Sequence, residues 1–179
     1  PYFNIDGQVF YILDDVPRAA SYNICNFTIP GERPLSLAMP APPLFAQNPA
    51  APAVRNFDGV VSTTVTVNRN LMDFYTNYPP CHWSVYAATA LTAPVCGQLY
   101  PPLRAAVAGK GEREAAELLL HYLHRAFPYK TDEAQFGIER TLFAEEMYYY
   151  PYSDCEDRSI LFARLVKDLL GLDVVLLYY

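Results

Sequence analysis

Tyr148–Gly171 reads YYYPYSDCEDRSILFARLVKDLLG and runs directly into LDVVLLYY at Leu172–Tyr179. The first part has the start signal of a helix. Ser153 is placed to be the N-cap and Glu156 follows three residues later, the spacing of a capping box. That puts Cys155 at the second helical position, beside the positive end of the helix dipole, where a thiolate is favoured over a thiol. With the Ser153 hydroxyl taking the Glu156 amide, the Cys155 amide is left to face a developing oxyanion. At about 100° per residue, Cys155, Ser159, Phe162, Val166 and Leu169 share one face, flanked by Ala163 and Leu170. Asp157, Arg164, Lys167 and Asp168 fall opposite. The thiol is therefore expected at the head of an apolar stripe, pointing into a cleft at the edge of the core. Gly171 suits a C-cap, and Leu172–Tyr179 reads as a buried core strand.

A cysteine at a helix tip that feeds straight into a core strand resembles the nucleophile unit of bacterial transglutaminase-like domains, in the papain-like cysteine protease and transglutaminase superfamily. SDCEDRSILFARLVKDLLGLDVVLLYY carries the resemblance, and the upstream stretch from Leu99 to Tyr150 extends it over residues 99–179. The resemblance implies a Cys-His-Asp triad whose histidine and aspartate come from strands after the cysteine helix. It also implies acyl transfer on amide or peptide bonds through a thioester at Cys155, by protease, amidase or transglutaminase-like chemistry. A protein or peptide substrate, an exported bacterial protein and no metal or organic cofactor follow from the same resemblance. The glutamine entrance and the tryptophan after the thiol that mark papain-type proteases are absent. The alternative is a catalytically inactive scaffold of the same fold in an exported binding or assembly protein.

The chain begins at Pro1 and stops at Tyr179 inside an apolar run. The expectation is a fragment, with its histidine and aspartate partners beyond Tyr179 and no turnover by this polypeptide alone. The internal histidines are weak substitutes. His121 and His124 project from the polar face of an amphipathic helix over Glu112–Phe127, whose buried face holds Ala115, Ala116, Leu119, Tyr122, Leu123 and Ala126. His82 adjoins Cys81 and Trp83 without the ligand spacing of a metal site. Asp154, Glu156 and Asp157 surround Cys155 with negative charge, which opposes thiolate formation, and free cysteine is also a common buried residue.

The chain holds 15 tyrosines, and Tyr148, Tyr149, Tyr150 and Tyr152 crowd the approach to Cys155. Tyr150 and Tyr152 are candidate substrate-lining residues, against the plainer role of packing the loop. Lys130, Thr131 and Asp132 read as turn residues.

The fold class expected is α+β, with a β-rich N-terminal part before an incomplete transglutaminase-like core that presents its nucleophile at a helix N-terminus. Residues 1–57 read as a hairpin and a Pro/Ala-rich linker. Asp6-Gly7 suits a tight turn within Pro1–Leu13, a further strand lies near Ala20–Ile29, and prolines interrupt any pattern from Pro30 to Pro52. Residues 58–98 read as β-rich, with strands at Gly59–Val67 and His82–Leu91. Residues 99–179 form the helix-and-strand part. A formal net charge of −6 with no basic stripe argues against nucleic acid. No apolar run has the length of a transmembrane segment. Cys81 and Cys96 are the plausible disulfide pair, with Cys25 left over.

Overall fold

The computed structural model describes residues 36–177, together with backbone strands β1 (Tyr2–Ile5), β2 (Gln8–Tyr11) and β3 (Tyr22–Asn23). β1 and β2 pair antiparallel with Ile5 opposite Gln8, and β3 adds to the other edge of β2. The expected Asp6-Gly7 turn and Cys25 lie outside the described residues.

The second sheet is an antiparallel hairpin of β4 (Ala53–Phe57) and β5 (Val61–Val65). Its turn uses left-handed backbone at Asp58 (φ 40°) and Gly59 (φ 76°), with Val60 N–H donating to Phe57 at 2.7 Å. Val61, Thr63 and Val65 alternate inward, as β-branched residues with period two should. The Thr63 hydroxyl is satisfied inside the core by Tyr122 at 2.7 Å, and Tyr122 in turn meets the Tyr148 hydroxyl at 3.0 Å. β4 was not foreseen. Its half-buried side chains alternate with exposed ones immediately after the proline-rich stretch.

Six helices follow. α1 spans Arg69–Thr76, and its N-cap Asn68 accepts the Asn70 amide at 3.1 Å. α2 covers Trp83–Ala88, where a strand was expected over His82–Leu91. The reason is local: His82 caps the turn by accepting the Ser84 amide at 3.2 Å, and the following Val-Tyr-Ala-Ala tolerates helix. α3 spans Ala93–Val107 and crosses the expected boundary between residues 98 and 99. It does so despite Pro101 and Pro102 in its interior, each removing a helical N–H. Val95, Leu99 and Leu103 are buried on the side packed against β5, and that packing holds the helix together. Residues 58–98 therefore hold more helix than strand, with β5 their one strand.

α4 (Glu112–Ala126) packs on β4 with Ala115, Leu119, Tyr122, Leu123 and Ala126 buried, the face expected apart from half-buried Ala116. α5 is a single turn at Asp132–Phe136 that ends at left-handed Gly137. α6 (Cys155–Leu165) packs on α2 and α4 and continues as a wider π turn over Val166–Leu170, closed by Gly171 in the left-handed conformation (φ 69°). One hydrophobic cluster runs from Ala50 to Val166 and takes residues from every one of these helices except α5. Phe143 sits in it, stacked on Tyr75 with ring centroids 4.2 Å apart and set against Tyr86 at 4.6 Å and Tyr78 edge-on at 5.3 Å. The chain is thus mixed α+β, and among the described residues no helix is long and apolar enough to cross a membrane.

Two expectations about the decisive stretch are corrected here. The buried residues of α6 are Asp157, Ile160, Leu161, Ala163, Arg164 and Leu165; Ala163, like Val166 just after the helix, is buried as expected, whereas Cys155 and Ser159 are exposed and Phe162 is half-buried. Polar groups turn inward because each finds partners. The Asp157 carboxylate accepts the Leu142 amide at 2.8 Å, and Arg164 Nε donates to Asp168 at 2.8 Å while the Tyr100 hydroxyl donates to the same carboxylate. The segment after Gly171 also departs from a buried strand. Leu172, Val174 and Leu176 are half-buried, but Val175 and Leu177 are 79% and 78% exposed. The segment has strand-like alternation but pairs with no strand among the described residues.

Candidate functional site

Cys155 is a free, exposed thiol on the first turn of α6. The helix starts one residue later than its sequence suggests. Asp154 is the N-cap, Cys155 the first helical residue, and Asp157 the reciprocal partner of a capping box. Ser153 cannot cap because its backbone is committed elsewhere. It bridges to Tyr129 in parallel, with the Ser153 N–H donating to the Pro128 carbonyl at 3.2 Å and the Ser153 carbonyl accepting from the Lys130 N–H at 3.3 Å. As the first helical residue, Cys155 still carries one of the amides that helix geometry leaves without an intrahelical acceptor.

The thiol opens into a cleft of about 500 Å³ lined by Trp83, Cys155, Glu156, Ser159, Ile160, Phe162 and residues 174–177. Most of that surface is apolar. Trp83 and Val174–Leu176 also wall a neighbouring cleft of about 490 Å³ that holds His82, Lys167 and Asp173. His82 is turned to its own helix, with Nδ1 engaged by the Ser84 amide and hydroxyl, the latter at 2.9 Å. His121 and His124 are exposed on α4, as expected from the helical pattern, and His121 lies near the Phe57 ring. None of the three lines the Cys155 cleft.

The group that does meet the thiol is Tyr129, which sequence reasoning missed. Its phenol is set against Cys155, and interaction with that thiol, as a polar partner and as a charge, raises its ionisation above the ordinary tyrosine value. Arg158 holds the ring in place. Its guanidinium lies 5.2 Å from the Tyr129 centroid, donates to the Phe127 carbonyl at 2.7 Å, and reaches the Ser153 hydroxyl through Nε at 3.3 Å. Tyr129 lies far from Cys155 in sequence and within no motif. Only the parallel bridge between its strand-like backbone and Ser153 brings it there.

Tyr150 and Tyr152 do not line the cleft. Tyr150 packs edge-on to Phe136 at 5.0 Å and under the Arg140 guanidinium at 4.9 Å, with its hydroxyl 3.3 Å from that of Thr76. Tyr152 is partly exposed under the Lys130 ammonium at 5.1 Å. Tyr148 is buried in the core with Tyr122 and Phe127. Arg55 of β4 pins this tyrosine segment by donating to the Met147 and Tyr150 carbonyls at 3.2 and 3.1 Å. These rings act mainly as packing, because their rigid faces fill the space between α4, α5 and the hairpin.

The electrostatics around the thiol are dominated by carboxylates. Burial pushes Asp157 up to about 8 and Asp132 up to about 6, and it raises Glu156, also close to Asp154 and Glu139, to about 8. Glu146, buried against Arg140, is raised by the same desolvation to about 7. Cys81 and Cys96, expected to form a disulfide, are separate free thiols. Burial raises the Cys81 thiol to about 11 and also raises Cys96. Cys96 Sγ instead faces the Leu91 carbonyl at 3.7 Å. Cys155 is thus set apart from the other two described thiols by exposure, by its place at a helix start, and by a phenol partner. In comparisons with known proteins, no family model, no curated protein and no solved structure matches this chain.

Proposed function

We propose that Cys155 is the nucleophile of a cysteine-dependent acyl transfer on amide or peptide bonds, in a transglutaminase-like core. The observation that carries the reading is an exposed thiol on the first turn of α6, opening into an apolar cleft and set against the Tyr129 phenol. Cys155 Sγ attacks the carbonyl carbon, and the C–N bond breaks as the departing amine takes up a proton. Water or an amine then resolves the thioester. On this reading the Cys155 amide and the Tyr129 phenol serve as donors to an oxyanion formed beside the sulfur. Trp83, Ile160, Phe162 and Val174 suit an apolar side chain next to the scissile bond. On this reading an imidazole and a carboxylate complete the site, and neither an imidazole nor a Cys-His-Asp arrangement lines the cleft among the described residues. The imidazole and carboxylate supply the proton transfers that neither a phenol nor a helix amide performs well at neutral pH.

The test uses the full-length protein, incubated with peptide and carboxamide substrates and analysed by intact-mass and peptide mapping. An acyl adduct on Cys155 that disappears in Cys155→Ala supports the reading. An unmodified Cys155 across substrates, with turnover unchanged in Cys155→Ala, refutes it. The second reading, an inactive scaffold, draws on the crowding of Asp154, Glu156 and Asp157 at the helix start, where burial raises Glu156 and Asp157 and any of the three that ionises opposes a thiolate.

A further inference from the structure

A group of buried side chains next to the thiol has no part in acyl transfer. Asp132 opens α5, Asp154 caps α6, and Asp157 sits at the third position of α6. They are 2%, 6% and 0% exposed, so water does not screen their charges. One carboxylate oxygen of each lies within 4.8 Å of the other two.

Part of this arrangement is ordinary helix capping. Asp157 accepts the Leu142 amide at 2.8 Å and the Asp154 amide at 3.4 Å, and Asp132 accepts the Arg140 amide at 2.7 Å. Capping explains why each acid is where it is, but it does not explain why three are pressed together. Nor does it reach Asp154 Oδ1, which is fully enclosed and has no hydrogen-bond partner. The nearby guanidinium groups are committed elsewhere. Arg140 pairs with Glu146 and stacks on Phe136 and Tyr150, while Arg158 serves Phe127 and Ser153. An enclosed carboxylate oxygen without a donor, beside two further carboxylates, calls for a positive charge between them.

We propose that Asp132, Asp154 and Asp157 bind a hard divalent cation. The separation fits: two oxygens on opposite sides of an ion at about 2.4 Å each are themselves about 4.8 Å apart. An all-oxygen donor set selects Ca2+, Mg2+ or Mn2+ over metals that prefer sulfur or imidazole. Glu139 and Glu156 meet Asp132 within the same 4.8 Å limit and lie on the more exposed side, where they can complete the shell with water. The ion ties α5 to the first turn of α6, one residue from Cys155. It also offsets the negative charge that works against the thiolate. The site stands on its own geometry and does not depend on Cys155 being catalytic.

The test starts from the chain stripped with EDTA, with thermal unfolding and titration calorimetry in Ca2+, Mg2+ or Mn2+ added singly. At a hundredfold excess over Kd, at least one ion raises Tm by about 5–10 °C, with one ion bound per chain. Asp154→Asn keeps a residue that caps helices as well as aspartate does but removes one charged ligand. It is expected to weaken binding by at least about tenfold. Asp132→Asn provides the same comparison should the first variant not fold. Absence of any response to all three ions at millimolar concentration overturns the proposal. So does an undiminished response in both variants, which places the cation on the general acidic surface.

Discussion

Replacing Phe143 with alanine tests the core that positions the start of α6. Phe143 is 1% exposed and touches three aromatic rings, with Tyr75 stacked at 4.2 Å. Its own segment also carries the Leu142 amide that Asp157 accepts, so the ring anchors the loop on which the helix start rests. Truncating a buried phenylalanine to alanine costs about 3–5 kcal/mol, through lost transfer free energy and the cavity left behind. Phe143→Leu keeps most of the apolar volume and loses chiefly the ring-to-ring contributions, about 0.5–1.5 kcal/mol for each well-placed pair. A net loss of about 1–3 kcal/mol is expected for leucine. In a domain of this size each kcal/mol lowers Tm by about 2–4 °C. The alanine variant should therefore melt about 6–20 °C below wild type and the leucine variant roughly halfway between. Thermal unfolding followed by circular dichroism reads the Tm, and urea titration shows whether the m-value is preserved, which separates lost stability from a changed unfolded state. An alanine variant destabilised by less than about 1 kcal/mol would mean that Phe143 does not occupy the aromatic cluster.

Tyr129→Phe removes the phenol that meets the thiol, and Cys155 alkylation by iodoacetamide at pH 7 should slow by about two- to fivefold, since one hydrogen bond to the ionised sulfur is lost; an unchanged rate shows that the phenol does not act on it. In wild type, peptide mapping after brief alkylation should find Cys155 labelled well ahead of Cys81 and Cys96, whose burial raises their thiols; preferential labelling of Cys81 contradicts the placement of α6. Stability without divalent cations should fall as pH rises. Burial holds Asp132 near 6 and Asp157 near 8 in the folded chain, above their unfolded values near 3.8, with Asp154 adding to both and Arg140 opposing it at Asp132. The folded state therefore binds more protons, and stability present below pH 4 is lost through pH 8. A Tm in EDTA that is higher at pH 8.5 than at pH 5 contradicts this. Arg55→Ala should lower Tm by at least about 3 °C by releasing the Met147 and Tyr150 carbonyls and the Phe127 ring; an unchanged Tm shows that the tyrosine segment is held without it.

Local signals in the sequence were legible where local physics decides the outcome. The 3.6-residue period of Glu112–Ala126, the β-branched run at β5 and the break at Gly171 all correspond to observed structure. A helix starting close to Cys155 was also legible, although its cap moved from Ser153 to Asp154 because the bridge to Tyr129 holds Ser153 in extended backbone. What stayed hidden depends on tertiary partners. Pro101 and Pro102 argue against a helix that packing on β5 nonetheless maintains. Asp157 and Arg164 look solvated until Leu142, Asp168 and Tyr100 supply their bonds. Tyr129 and the Asp132 carboxylate come from turn sequence with no periodic signature, and they reach the site only through the fold. The strand expected after Gly171 has the right alternation of side chains, but pairing depends on a neighbour that composition cannot reveal.

Acylation of Cys155 is the most direct measure of the account. The full-length protein is mixed with an amide or peptide substrate, quenched in acid within seconds, and its cysteine peptides are mapped by mass spectrometry. A thioester on Cys155, absent from Cys155→Ala and cleared by hydroxylamine, is the expected result. Substrate consumed at the same rate by both proteins, with Cys155 recovered as a free thiol, contradicts it.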